Sequence, residues 1–135
     1  MTLYEKISRS ILAIFGGTEW TSNGVKTVPE NFVLNDDALD EFVRIHVIVS
    51  GYGPNIVSKS GMLMVDIFTP AGTGPSRAFV IAGLLDSVLA SKSFASNGIS
   101  TQFKQSSTSL LGRDSANPAL HQTQYSIPFV SSGVF

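Results

Sequence analysis

Apolar residues recur at three- and four-residue steps at the start of the chain: Tyr4, Ile7, Ile11, Ile14 and Phe15, up to Gly16-Gly17. That spacing gathers them on one face of a helix, and Thr2-Leu3-Tyr4-Glu5 fits a capping box at its start. Residues 18–40 are polar and broken by Gly24, Pro29 and Asn35-Asp36-Asp37, with room for a short edge strand at Asn31-Phe32-Val33-Leu34. The period then changes from helical to two. Val43, Ile45, Val47 and Val49 alternate with Arg44, His46 and Ile48, a β-branched run that predicts a strand over residues 42–50.

Gly51-Tyr52-Gly53-Pro54-Asn55 ends that strand and opens a loop running to a second turn signal at Lys59-Ser60-Gly61. Residues 62–68 form the next strand, with Leu63, Val65 and Ile67 on one face and Met64, Asp66 and Phe68 on the other. The two strands are expected to pair as an antiparallel hairpin. After a Pro- and Gly-rich connection, Ala78, Ile81, Ala82, Leu85, Val88 and Leu89 mark a second helix reaching about Ser91. Residues 99–105 alternate again, residues 106–118 are rich in Ser, Gly and Asn and read as a long loop, and residues 120–130 place Tyr125, Ile127 and Phe129 on one face. The order α-β-β-α-β-β predicts an α+β fold: an antiparallel or mixed sheet of four to five strands with both helices packed on one face.

At 135 residues and 43% hydrophobic composition the chain suits a single domain, residues 1–135, with one core. No apolar run approaches the roughly 20 residues of a membrane span, and the start lacks the basic and apolar regions of a secretory leader, so neither a membrane nor a secretory route is expected. Zero cysteines exclude disulfides, thiolate metal sites and a cysteine nucleophile. A net charge of −1 lacks the basic footprint of a sequence-specific nucleic-acid binder. Charged residues make up 14% of the chain, against about 25% in ordinary soluble domains. A surface that poor in charge is either unusually apolar or partly covered by neighbouring subunits.

The residues that chemistry would need are scarce. His46 and His121 fall in predicted strands without another ligand at metal spacing, and no G-x-S-x-G elbow accompanies the serines. Asp36, Asp37, Asp40 and Glu41 read as a solvated loop and first turn. The turn at Gly72-Thr73-Gly74, between a strand and a helix, has the form of a phosphate cradle. It departs from the known ones, with Gly74-Pro75-Ser76 where a P-loop needs Gly-Lys-Ser/Thr and Arg77 where a dinucleotide fingerprint needs a glycine. An anion- or nucleotide-binding enzyme using Gly72 to Arg77 is therefore the alternative to a protein with no catalytic residues, no cofactor and no metal.

Gly61-Met62-Leu63-Met64-Val65-Asp66-Ile67-Phe68-Thr69-Pro70-Ala71-Gly72-Thr73-Gly74, followed by a helix with Ala82 and Leu85, resembles the central segment of the small tail-terminator proteins of long-tailed bacteriophages. The resemblance implies a structural virion protein: a ring, of six subunits, that caps the tail tube, stops its growth and presents the surface for joining tail to head. Its implied partners are further copies of itself, the tail tube protein and a head-completion or connector protein. DNA would pass through the ring without sequence-specific binding, and the ring would be assembled in the host cytoplasm and end in the virion tail. A head-tail adaptor or another minor tail subunit is the nearest variant.

That family offers no catalytic residues to transfer, so the candidate interface residues come from this chain. They are Tyr52, Pro54 and Lys59 in the first loop, Leu110, Leu111, Arg113 and Asp114 in the long loop, and Phe135 at the end of the chain. A loop carrying Leu110-Leu111 and a terminal Phe135 expose apolar side chains unless a neighbour or their own domain covers them. Asp66, opposite the Leu63-Val65-Ile67 face, is either where subunits or a channel meet or a plain solvent-facing strand residue.

Overall fold

A computed structural model describes residues 3–29, 41–52, 58–70, 76–96, 98–113 and 120–133. Helix α1 (Leu3–Gly16) and the short α2 (Thr18–Thr21) lead into β1 (Thr27–Pro29), β2 (Phe42–Tyr52) and β3 (Ser58–Pro70). Helix α3 (Ser76–Leu89) follows, then β4 (Ser93–Ser96), β5 (Ile99–Phe103), β6 (Ser107–Arg113) and β7 (Leu120–Gly133). The class is α+β with a mixed sheet. Its order is β1-β2-β3-β7-β5-β4, with β6 also paired to β7.

Among the described residues seven strands replace the four to five expected, and the corrections have local causes. Three-residue β1 lies parallel to β2, too short to show a period. Lys59-Ser60-Gly61 is not a turn but part of β3, which runs antiparallel to β7 from Ser58↔Ser132 to Pro70↔Leu120. Half of the expected long loop is β6, antiparallel to β7 from Ser107↔Ser126 to Arg113↔His121. Its serines resemble turn chemistry in isolation, and only the neighbouring β7 makes them a strand. β5 and β6 line the same edge of β7 in succession, β5 beside its last residues and β6 beside its first. The proposed edge strand at residues 31–34 lies outside the described residues.

Alternation decides the two faces. Val43 and Ile45 of β2, Leu63, Val65 and Ile67 of β3, and Tyr125, Ile127 and Phe129 of β7 point to one side. They join Ile7, Ile11 and Phe15 of α1, Trp20 of α2 and the buried stripe of α3 in one core. The three described helices thus cover the same face of the sheet. Trp20 is sealed in by an edge-on contact with Phe15 and by its indole N–H donating to Thr27 Oγ1 at 2.7 Å. On the opposite face a smaller cluster of Val28, Phe42, Phe68 and Leu120 closes one end, with Phe42 stacked on Phe68.

Candidate assembly surfaces

The residues singled out in the sequence are distributed over three regions. Tyr52 and Lys59 face each other across the β2–β3 ladder, beyond an irregularity after Val49, so both lie in strands instead of a loop. Lys59 Nζ sits 5.7 Å from the centre of the Tyr4 ring, tying the first turn of α1 to β3. Asp66 does lie on the face away from the helices, but it is only 9% exposed. Its Oδ2 is 2.9 Å from His46 Nε2, and its Oδ1 accepts from Gln124 Nε2 at 3.5 Å. A carboxylate held from β2 and β7 at once pins three strands together.

Leu110 and Leu111 are 50% and 51% exposed. They stand on β6, where the ladder slips a residue between Leu110 and Gly112 and Gly112 takes a φ of 92° that a side chain would oppose. Arg113 ends that strand opposite His121. Pro54, Asp114 and Phe135 lie outside the described residues, as does the Gly72 to Pro75 turn. Arg77, the cation that turn would have used, donates from Nε to Glu41 Oε1 at 2.5 Å and from its second nitrogen to Oε2 at 3.4 Å. That carboxylate is the main reason the guanidinium is held even more firmly protonated than usual.

Two features escaped the sequence. An open pocket of about 260 Å³ is lined by Leu12, Phe15 and Gly16 of α1, Thr27 of β1 and Ile45 of β2. It brings together three elements, and the described residues of its lining carry no charge. The second feature is a carboxylate hub: Asp86 Oδ1 accepts from the Tyr125 hydroxyl at 2.6 Å and from Ser106 Oγ at 2.5 Å, fastening α3 to β7 and to the approach of β6. Burial first, and the bond to Asp86 second, push the Tyr125 phenol well above its ordinary range. Further exposed apolar side chains are Ile48 on the open face and Phe79 and Val80 on α3. Among the described residues there is no group of three His, Asp or Glu placed to hold a metal, and no helix is long and apolar enough to cross a membrane.

Known structures share this arrangement. A chain in a solved virion of a native gene transfer agent particle superposes with a TM-score of 0.70 over 98% of this chain and 98% of that one, at 11% identity. A second solved chain, known by a sequence identifier alone, gives a TM-score of 0.66 over 98% and 95%, at 15% identity. The likeness is one of fold. No family model matches the sequence, and no curated protein matches it.

Proposed function

We propose that this chain is a structural subunit of a phage-like virion and, within it, the tail terminator: a ring of six copies that caps the tail tube, stops its growth and offers a surface for head-tail joining. The observation that carries the reading is the end-to-end match to a chain of a gene transfer agent virion. The Gly61–Gly74 segment that resembles tail terminators supports the finer role, and so do a low content of charge and exposed leucines on an edge strand. Its partners are other copies, the tube protein and a connector or head-completion protein, with DNA passing through the opening. Catalysis, cofactors and membranes play no part. A head-tail adaptor is the nearest variant, and contact with the connector in place of the tube would separate the two roles.

The test is mass by light scattering after size exclusion, with negative-stain images, first alone and then with purified tube protein. A six-membered ring that halts tube elongation is expected. A protein that stays monomeric with tube ends present, and leaves their growth unchanged, overturns the role.

A further inference from the structure

One row of paired residues crosses the sheet on its helix-covered side: Thr27, Val43, Ile67, Thr123 and Leu110, from β1 through β2, β3 and β7 to β6. At one end stands Leu110, half exposed, beside Leu111. At the other end Thr27 lines the apolar pocket with Leu12, Phe15, Gly16 and Ile45. The row spans four strand-to-strand steps, about 19 Å at the usual spacing of about 4.8 Å. A projecting apolar pair and an uncharged hollow thus terminate the same row on the same layer.

We infer that Leu110 and Leu111 of one copy seat in the Leu12–Phe15–Thr27–Ile45 pocket of the next, joining copies head to tail. The occupant is a second copy because both halves of the contact are on this chain and match in character. The pocket, at about 260 Å³, falls below the roughly 300–1,000 Å³ of small-molecule sites, yet has room for aliphatic side chains. Residues 107–112 contain no charge and no proline, the usual guards of an exposed edge, so before Arg113 β6 has only its bulge against association. Among the described residues, neither β1 nor β6 has a second partner strand.

The two halves are different surfaces, so the contact is heterologous and each copy uses both ends. Such a contact gives a ring where its rotation closes and an open filament where it does not. This assignment rests on the ring reading above and names its interface.

The chain has no cysteine, so engineered ones report cleanly. Leu12→Cys with Leu110→Cys, oxidised under assembly conditions with tube ends present, should give a ladder of cross-linked multimers. A bond within one copy needs Cα atoms within about 7 Å, against a row of about 19 Å along the sheet, and it would leave the mass of a monomer instead of a ladder. Dimers from Leu110→Cys alone, with no ladder from the pair, would show β6 meeting β6 and overturn the inference.

Gly16→Phe fills the hollow from a position where an added Cβ meets nothing within 4 Å, and Leu110→Asp with Leu111→Asp removes the knob. Each variant should be monomeric with native circular dichroism, and a mixture should form dimers only, through the one intact knob and hole. Rings that persist in both variants would overturn this interface while leaving the ring reading standing. A wild-type protein that neither assembles nor cross-links would overturn both.

Discussion

Gly61 offers a sharp test of the packing, because the space beside it is already occupied. It lies within β3 between Val49 and Phe129 on the flanking strands. A Cβ added there would stand 2.2 Å from the Ile48 carbonyl oxygen and 2.7 Å from the Phe129 ring, against normal contacts of about 3.5–4.0 Å. The ring is 1% exposed and cannot swing away, while the carbonyl moves only if β2 parts from β3. Overpacking costs about 1–3 kcal/mol, occasionally more, and a clash on backbone and core together places Gly61→Ala near 3 kcal/mol. For a chain of this length that is a fall in Tm of about 10 °C.

Gly83→Ala is the matched control. It lies in α3, where a Cβ meets nothing within 4 Å, so helix propensity alone should stabilise it by up to about 1 kcal/mol. Urea unfolding followed by far-UV circular dichroism and by the single tryptophan, buried Trp20, measures both. A Gly61→Ala protein within about 0.5 kcal/mol of wild type, or a control that is the worse of the two, would refute the reasoning.

Tyr125→Phe should cost about 1.5 kcal/mol by equilibrium unfolding, the low end for a hydrogen bond to a charged group because Asp86 is solvent-exposed. The raised Tyr125 pKa stabilises the fold fully below the unfolded phenol value of about 10 and is lost as pH climbs toward the folded value, so wild-type stability should decline above about pH 10, less so in the variant. In a spectrophotometric titration, one of the three tyrosines should ionise last, together with unfolding. Asp66→Ala should destabilise by about 1–3 kcal/mol in denaturant, since it removes the carboxylate that His46 and Gln124 share across three strands. Arg77→Ala, which removes an exposed ion pair, should change stability by under about 1 kcal/mol and leave phosphate affinity unmoved in calorimetry; a lost phosphate site would revive the anion-binding alternative.

Periodicity alone determined the two long helices, the β2–β3 hairpin and the inward faces of β2, β3 and β7, because these follow from local geometry and the burial of one face. Periodicity said nothing of Leu110 and Leu111, which a loop reading left exposed unless covered and which stand half exposed on a strand. What it left out depended on neighbours. Residues 107–113 became a strand only by pairing with β7, and Gly61 traded the look of a turn for a ladder position where Phe129 fills the room of its missing side chain. Asp66 looked solvent-facing from alternation, yet His46 and Gln124 arrive from two other strands to bury it. The pocket of Leu12, Phe15, Gly16, Thr27 and Ile45 has no local signature, and neither has its place on one row with Leu110. Strand order and register are long-range choices, set by which faces must be buried together, and the assembly surfaces depend on them.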